Sequence, residues 1–193
     1  MSLVHRSDLI LGGARSGKSR EALRLAMMFP RGSRGAFLAT AQAFDGDMAA
    51  RIAGHRAERP KGWATVEEPY DVVAACERLA GHADVVVLDC LTLWVANLLL
   101  RGEKDAAILE AAGALSDFIA LRRFGILIVS NEVGAGVHPP TEVGLHFRDA
   151  LGAVNQRIAA AVDRVTYMVA GIPMVIKETL PNKDLRGQSF EAP

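Results

Sequence analysis

The residues with the clearest chemical meaning occupy positions 12–19 and read GGARSGKS, which fits the pattern G-x-x-x-x-G-K-S. An apolar run at 9–11 precedes them, and a helical pattern at 20–28 follows. A phosphate-binding loop requires this strand–loop–helix order, because its glycines let backbone N–H groups point into one concavity and the helix start adds further donors. Lys18 would reach the β- and γ-phosphates, and the Ser19 hydroxyl would bind Mg²⁺. The pattern predicts a protein that binds a nucleoside triphosphate.

A second candidate is Asp89, which closes the apolar run 84–89 downstream of the loop. A carboxylate at the end of a buried strand lies at the carboxyl edge of the sheet, where ligands bind in α/β proteins. It would hold Mg²⁺ directly or through water, as a Walker-B carboxylate does. The alternative is that Asp89 caps the helix predicted to begin near Leu91.

Polar residues at other strand ends are less decisive. Asn131 and Glu132 follow the apolar strand 126–130, and they are either groups that orient a substrate hydroxyl or ordinary loop formers. Thr40 and Gln42 follow the second strand and would touch a phosphate or base, or act as caps. Arg15 lies inside the loop itself. The pair at 67–68 is acidic, and it could simply complement the dipole of the next helix.

His55 lies on a predicted helix at 45–59, where it borders the apolar stripe formed by Met48 and Ile52. Arg51 stands one turn before it and Arg59 one turn after it, so positive charges flank the imidazole. Spacing alone leaves two interpretations open, a partly buried structural histidine or a functional one.

The elements that must position these residues alternate along the chain. Such alternation predicts an α/β fold of the P-loop NTPase type, with a mainly parallel sheet and helices on both faces. Residues 1–178 are predicted to form one domain, and 179–193 a polar tail. The helix at 104–123 would bury Ile108, Leu115, Ile119 and Leu121. Predicted strands cover 9–11, 36–40, 63–67, 84–89, 126–130, 165–169 and 174–176; predicted helices cover 20–28, 45–59, 69–80, 91–100, 104–123 and 141–162.

The amino-acid composition argues against several classes of protein. The 193 residues carry 22 basic and 22 acidic side chains, so no basic excess indicates nucleic acid or an anionic membrane. The two cysteines, Cys76 and Cys90, lie in apolar stretches and predict neither a disulfide framework nor a cysteine zinc site. The longest apolar run, 85–100, is interrupted by polar residues and is no membrane span. Charged residues near the N-terminus do not fit a signal peptide, so we expect a cytoplasmic protein.

Several stretches together resemble one family, the bifunctional adenosylcobinamide kinase/adenosylcobinamide-phosphate guanylyltransferases of cobalamin biosynthesis. The loop at 12–19 looks like that family's phosphate loop, and 39–41 resembles its second-strand end, with Ala41 where serine is usual. The matches run in order from Leu9 to about Lys177. They further include the helix MAARIxxHRxxRP at 48–60, LDCLTLWVxNLL at 88–99, SNEVGxG at 130–136, FRD at 147–149 and VNQR at 154–157.

The resemblance implies two reactions. A nucleoside triphosphate, ATP or GTP, phosphorylates the aminopropanol hydroxyl of adenosylcobinamide. GTP then places GMP on a histidine, by motif position His55, and adenosylcobinamide phosphate takes the GMP to become adenosylcobinamide-GDP. An imidazole nitrogen that attacks the α-phosphate would split one hard displacement into two easier ones. The flanking arginines at 51, 56 and 59 would stabilise the transferring group and keep the histidine unprotonated.

The loop and strand-end patterns already predict Mg²⁺ at Ser19 and Asp89 and a catalytic role for Lys18. The resemblance adds a catalytic role for His55 and implies a homo-oligomer, with a trimer as the candidate stoichiometry. Two other hypotheses remain: another P-loop small-molecule kinase in which His55 is structural, and a regulatory nucleotide-binding module without chemistry. Carried over by motif position, the nucleotide-binding residues are Gly12, Gly13, Ala14, Arg15, Ser16, Gly17, Lys18, Ser19, Ala39, Thr40, Ala41, Arg56, Ala57, Glu58, Arg59, Glu67 and Asp89.

Overall fold

The computed structural model describes residues 5–42, 46, 54, 56, 59–136 and 138–179. The predicted alternation of strands and helices is confirmed within these ranges. The elements are β1 Ser7–Gly12, α1 Lys18–Ala26, β2 Gly35–Ala39, β3 Ala64–Glu67, α2 Val72–Leu79, β4 Val85–Asp89, α3 Leu91–Leu100, α4 Asp105–Ala120, β5 Gly125–Val129, α5 Glu142–Ala161, β6 Arg164–Val169 and β7 Ile172–Glu178.

All seven strands join one sheet in the order β3-β2-β4-β5-β1-β6-β7. Every neighbouring pair is parallel except β6 and β7, which are antiparallel. The central strands are buried along almost their whole length, which is why their sequences read as continuous apolar runs rather than alternating ones. The carboxyl ends of β1, β2, β4 and β5 therefore meet along one edge, and their polar residues gather there.

Helices cover both faces of the sheet, as the sequence predicted. On one face, α1 packs over Ile10, Phe37 and Leu127 together with Phe29. On the other face, the remaining helices bury a larger core around Leu9, Leu88, Trp94, Leu115 and Leu151. Trp94 is 1% exposed and donates its indole N–H to the Tyr70 carbonyl oxygen at 2.7 Å, so the largest core side chain is also hydrogen-bonded.

The predicted helix 20–28 is shifted by two residues at each end, since α1 spans Lys18–Ala26, and two other predicted helix boundaries are wrong by three residues. Helix α2 begins at Val72 rather than at Pro69, because the Glu68 carboxylate accepts the N–H groups of Tyr70 and Asp71 in a turn that delays the helix. Leu121 lies beyond the end of α4 and is 59% exposed, so the buried stripe of that helix ends at Ile119.

The hairpin formed by β6 and β7 is connected to the C-terminal end of α5 by Lys177 of β7. Its Nζ donates to the carbonyl oxygens of Ala159, Ala160 and Val162 at 2.7–2.9 Å, which satisfies acceptors at the C-terminal end of α5. The Thr179 N–H donates to the Asp163 carbonyl oxygen at 2.8 Å. Positions 180–193 of the predicted tail lie outside the described residues, so the domain boundary stays a prediction.

Within the described ranges, no helix is long and apolar enough to cross a membrane.

Candidate active site

The loop between β1 and α1 depends on two glycines. Gly12, at φ 151°, and Gly17, at φ 95°, adopt backbone conformations that strain any residue with a side chain. A Cβ on Gly12 would lie 2.6 Å from the Met168 carbonyl oxygen, so the loop also packs too closely against β6 for a larger residue. Backbone geometry therefore accounts for both glycines of the motif, and it curls the loop as an anion-binding concavity requires.

Lys18 turns back across this loop. Its Nζ donates to the Gly13 carbonyl oxygen at 2.5 Å, and the residue is only 7% exposed. Burial lowers the pKa of Lys18, while the negative charge of Asp89 opposes that shift. An ammonium group in a partly buried site, where the effective dielectric constant is lower than in water, interacts more strongly with a phosphate than an exposed ammonium group does.

Ser16 contributes the loop's unsatisfied polar atom. Its hydroxyl is buried and has no hydrogen-bond partner in the part of the chain that the structure describes, although the residue's own carbonyl oxygen accepts the Gly171 N–H at 3.0 Å. A buried hydroxyl without a partner is costly, so one inside a phosphate loop indicates that a ligand oxygen completes it.

A cavity of about 670 Å³ opens above the loop and runs along the carboxyl edge of the sheet. It brings together most of the residues that the sequence singled out, from strands that are far apart in the chain. It is lined by Ala14, Arg15, Ser16, Gly17, Lys18, Ser19, Arg20, Ala39, Ala41, Arg59, Glu67, Asp89, Cys90, Thr92, Leu93, Val129, Asn131, Ala170 and Gly171.

The cavity contains a donor pair suited to a divalent cation. Ser19 and Asp89 both line it, and hydroxyl and carboxylate oxygens are ligands that Mg²⁺ accepts alongside phosphate oxygens and waters. Helix α3 has Cys90 as its N-cap, and the Cys90 side chain makes no capping hydrogen bond. The described residues hold no cluster of three or more His, Cys, Asp or Glu side chains that would bind a metal by themselves, so this pair fits an ion shared with a nucleotide.

The end of β2 is shaped by Thr40, which lies behind the cavity wall. Thr40 is fully buried, and its hydroxyl accepts the Cys90 N–H at 2.9 Å and donates to the Cys90 carbonyl oxygen at 2.7 Å. Asn97 of α3 donates to the Thr40 carbonyl oxygen at 2.8 Å. Both hydrogen-bonding functions of the hydroxyl are therefore used by the fold, while Ala39 and Ala41 face the cavity on either side.

Arg59 forms the far end of the cavity. Its guanidinium lies 4.9 Å from the centre of the Phe37 ring and donates to the Thr65 hydroxyl at 3.1 Å. Burial lowers its pKa, the positive charge of Arg56 adds to the shift, and Asp89 opposes it. Arg59 and Glu67 also line a neighbouring cavity of about 610 Å³, which contains Trp63.

Glu67 and Glu68, adjacent in sequence, have different roles. Glu67 faces the cavity and forms an ion pair with Arg56, whereas Glu68 holds the turn before α2 and pairs with Arg78. The neighbours of Arg56 named by the sequence, His55, Ala57 and Glu58, lie outside the described residues. Their assignment stays a prediction.

Asn131 follows β5, between the phosphate loop and Asp89, and hydrogen bonds fix its backbone on both sides. Its N–H donates to the Thr92 hydroxyl at 2.8 Å, and its carbonyl oxygen accepts from Asn155 at 3.0 Å. Asn155 in turn accepts from the buried Ser130 hydroxyl at 2.7 Å. Asn131 lines the cavity, whereas Glu132, whose carboxylate accepts the Gly134 N–H, does not.

The sequence analysis did not identify several of the residues that line the cavity. Thr92 and Leu93 stand in the first turn of α3, directly after Asp89, so their closeness to that strand end was the signal available. Arg20 follows the loop motif by one position. Ala170 and Gly171 belong to the turn between β6 and β7, and no local pattern connects them with the loop, because only the strand order brings them there.

A phosphate loop after β1, a carboxylate at the end of β4 and a cavity across their carboxyl ends define a P-loop NTPase-type nucleotide-binding enzyme. The family model for cobinamide kinase / cobinamide phosphate guanyltransferase matches residues 8–176, and the chain belongs to this family. It is accordingly a transferase with a kinase and a guanyltransferase activity.

Three curated relatives support the assignment. The chain is 46% identical to the bifunctional adenosylcobalamin biosynthesis protein CobP of Pseudomonas aeruginosa, over 88% of this chain and 96% of that protein. It is 39% identical to the protein CobU of Escherichia coli K12, and 40% identical to that of Salmonella typhimurium, over 88% of this chain and 98% of each relative.

Two solved structures share the fold at low sequence identity. The flagellar accessory protein FlaH of Methanocaldococcus jannaschii has a TM-score of 0.50 at 13% identity, over 91% of this chain and 79% of that one. A type III secretion system ATPase has a TM-score of 0.55 at 11% identity, over 86% of this chain and 51% of that one. These similarities confirm the predicted fold class.

Proposed function

We propose that the protein acts in cobalamin biosynthesis through two consecutive transfers at the cavity. It first phosphorylates adenosylcobinamide with a nucleoside triphosphate, and it then transfers GMP from GTP to the product through a guanylyl-histidine at His55. The main support for this proposal is that one cavity extends from the phosphate loop to Arg59 and Glu67. Glu67 also forms an ion pair with Arg56, the residue next to His55 in the chain.

In the first transfer, the aminopropanol oxygen of adenosylcobinamide attacks the γ-phosphorus. The bond from that phosphorus to the β,γ-bridging oxygen breaks, the nucleoside diphosphate leaves, and the hydroxyl proton passes to solvent. Lys18 neutralises charge on the β- and γ-phosphates, and the loop backbone holds them in line with the acceptor. This step needs positioning and charge neutralisation but no protein nucleophile.

In the second transfer, an unprotonated imidazole nitrogen of His55 attacks the α-phosphorus of GTP, and pyrophosphate leaves from the phosphate loop. A phosphate oxygen of adenosylcobinamide phosphate then attacks the same phosphorus, the P–N bond breaks, and the imidazole is regenerated. Arg56 and Arg59 are near enough to Glu67 and the cavity to stabilise charge on the transferring group. Positive charge beside the imidazole also favours its neutral, nucleophilic form.

Ser19 and Asp89 fit Mg²⁺ as described above, and the ion would neutralise phosphate charge and orient the triphosphate. ATP and GTP are the proposed nucleotide substrates. A homo-oligomer, with a trimer as the candidate stoichiometry, and a cytoplasmic location complete the proposal; the two free cysteines suit a reducing compartment.

The decisive experiment is intact mass spectrometry after incubation with GTP and Mg²⁺. The protein should gain one GMP, and the adduct should be lost in mild acid but persist in base, because protonation makes imidazole a good leaving group. His55→Asn should lose the adduct and guanylyl transfer but keep most of the kinase activity.

The matched control is His82→Asn, since His82 is exposed and belongs to a turn away from the cavity. An adduct that persists in His55→Asn, or that peptide mapping locates on Lys18, would refute the assignment. No adduct in the unmodified protein, with the kinase step intact, would favour a P-loop small-molecule kinase in which His55 is structural.

A further inference from the structure

The cavity is too small to enclose both substrates of the kinase. Its volume of about 670 Å³ is that of a pocket for one drug-sized ligand, and the phosphate loop, Ser19 and Asp89 suit it to a nucleoside triphosphate. The acceptor of this family is a cobinamide, a large corrin macrocycle with a short arm that ends in the reacting hydroxyl. The arm must therefore enter the cavity while the macrocycle lies on a surface that adjoins it.

Helix α3 supplies such a surface. The helix begins beside Asp89, and its first turn lines the cavity with Thr92 and Leu93. The Thr92 hydroxyl accepts the Asn131 N–H at 2.8 Å, so it serves the cavity wall. Leu93 has no comparable task there, because an apolar side chain contributes nothing to the binding of phosphate.

The packing of α3 separates a core face from an outer face. The core face consists of Leu91, Trp94, Val95 and Leu98. Leu93 and Ala96 are only partly buried, and among the described residues they belong to neither hydrophobic core and pack against neither. Leu100 is 74% exposed. The outer face is therefore apolar as well, although no core covers it.

The three outer residues form one continuous stripe. At about 3.6 residues per turn, Leu100 stands two turns after Leu93 on the same side of the helix, with Ala96 between them. At about 1.5 Å per residue the stripe is about 10 Å long, and it begins inside the cavity at Leu93. We call it the α3 stripe. A helix that is apolar on all sides is normally covered, so the stripe indicates a binding surface.

The far end of the α3 stripe carries a fixed donor and a fixed acceptor. The guanidinium carbon of Arg101 lies 4.6 Å from the centre of the Tyr70 ring, and its Nε donates to the Glu103 carboxylate at 3.1 Å. Both charged side chains remain accessible, at 42% and 34% exposure. A corrin macrocycle has a largely apolar body and peripheral amides, and each amide contains N–H donors and a carbonyl acceptor.

We propose that the α3 stripe binds the corrin macrocycle of adenosylcobinamide, with the aminopropanol arm passing Leu93 into the cavity and peripheral amides at Arg101 and Glu103. The continuity of the stripe with the cavity favours this occupant, because a molecule bound along the stripe reaches the place where the phosphate is transferred. This inference rests on the proposed function, in which adenosylcobinamide is the acceptor of the kinase step.

The direct test is equilibrium dialysis of adenosylcobinamide against the protein with β,γ-methylene-ATP and Mg²⁺, followed by the visible absorption of the corrin. Leu100→Gln should raise the Kd for adenosylcobinamide about tenfold, because an apolar contact is replaced by an amide. The Kd for β,γ-methylene-ATP, measured by calorimetry, should change less than about twofold, since Leu100 does not line the cavity.

Steady-state kinetics should agree with the binding data. In the kinase assay, Leu100→Gln should raise the KM for adenosylcobinamide about tenfold and leave kcat unchanged, as expected when a contact made equally in the ground state and the transition state is lost. The matched control is Leu121→Gln, because Leu121 is also an exposed leucine, at 59%, and lies after α4. An unchanged Kd for adenosylcobinamide in Leu100→Gln, or an equal increase in Leu121→Gln, would overturn the proposal.

A second copy of the chain is the competing occupant of the α3 stripe. Sedimentation velocity distinguishes the two, since Leu100→Gln should sediment as the unmodified protein does if the stripe binds a substrate. Dissociation of Leu100→Gln into smaller species would show that the stripe is a subunit contact and would overturn the proposal.

The same experiments separate this inference from the proposed function. If the unmodified protein neither binds nor phosphorylates adenosylcobinamide, the proposed acceptor is refuted and this inference with it. If adenosylcobinamide is phosphorylated with the same KM by Leu100→Gln and by the unmodified protein, the proposed function stands and the inference about the α3 stripe is refuted.

Discussion

At the scale of single residues, the role of a side chain depends both on its position in the sequence and on its contacts in the folded protein, and Lys18 and Asp89 are examples. Lys18 is placed by the loop motif, yet its bond to the Gly13 carbonyl oxygen and its burial belong to the folded protein. A substrate phosphate would replace that carbonyl as the partner of the ammonium group. The amine is thus kept close to its working position before any ligand arrives.

Lys18→Ala should reduce both the kinase and the guanylyl transfer about 10²- to 10³-fold, because both proposed steps use the same phosphate cradle. Steady-state assays of each step would measure the loss, with Lys104→Ala, an exposed lysine at the start of α4, as the control. Guanylyl transfer that stays near normal would show that the two reactions use separate triphosphate sites.

Asp89→Asn should raise the Mg²⁺ concentration needed for half-maximal kinase activity about tenfold, because an amide is a weaker ligand than a carboxylate for a hard cation. Titration of activity with Mg²⁺ at saturating nucleotide tests this. Asp117→Asn, an exposed carboxylate on α4, provides the comparison. An unchanged Mg²⁺ dependence would remove Asp89 from the metal site and assign it to capping of α3 instead.

At the scale of elements, the helices on the larger core face position the strand ends as well as covering the sheet. Asn97 of α3 holds the end of β2, Thr92 of the same helix holds the N–H of Asn131, and Asn155 of α5 holds its carbonyl. These side chains are 3–9% exposed, so their hydrogen bonds are shielded from water. The cavity wall is therefore rigid where strands β2 and β5 end.

Asn155→Leu should loosen this wall. We expect about a tenfold fall in the kcat of the kinase step with a smaller change in the KM for nucleotide, since Asn131 would be mispositioned in the cavity wall while the loop is unaltered. The free energy of unfolding should fall by about 1–3 kcal/mol, because buried partners lose their hydrogen bonds.

The neighbouring Gln156→Leu is the control, because Gln156 is exposed on the same helix. Stability measured by urea denaturation separates the two effects. A loss of stability without any change in the ratio of kcat to KM would assign Asn155 to folding alone.

At the scale of the whole molecule, Asp163 joins three distant parts of the chain. Its carboxylate accepts the N–H and hydroxyl of Ser7 at 3.0 Å each and two N–H groups of Arg122 at 2.6–2.9 Å. Burial alone would raise the pKa of Asp163, but the hydrogen bonds from Arg122 and Ser7 outweigh it and hold the pKa at about 2. The start of β1, the end of α4 and the start of β6 are thereby tied together.

This pKa predicts a pH dependence of stability. Because the folded-state pKa of Asp163 is below its ordinary value of 3.8, the contact stabilises the fold above about pH 4, and that contribution is lost as the pH falls towards 2. Asp163→Asn should lower the Tm at pH 6, and the difference from the unmodified protein should shrink at pH 3. Circular-dichroism melts measure it, with Asp117→Asn as control; a constant difference would contradict the prediction.

The sequence by itself determined the fold class and predicted the centre of the candidate site. Apolar runs such as 85–88 are long and continuous only when both faces of a strand are covered, so they predicted the parallel sheet without further information. The phosphate loop at 12–19 could also be predicted from the sequence, because the backbone has positive φ angles at Gly12 and Gly17 that favour glycine. Asp89 followed from its position at a strand end.

The tertiary structure decided which strand-end residues line the cavity. Strand order brings Ala170 and Gly171 to the loop although more than 150 positions separate them in the chain, and no local sequence pattern marks them. The structure also distinguishes residues that the sequence left equal. Asn131 lines the cavity and Glu132 does not, and Glu67 lines it while Glu68 holds a turn. Thr40 supports the cavity wall from behind. Local chemistry fixes what a side chain can do, whereas the direction in which it points depends on pairing and packing across the whole sheet.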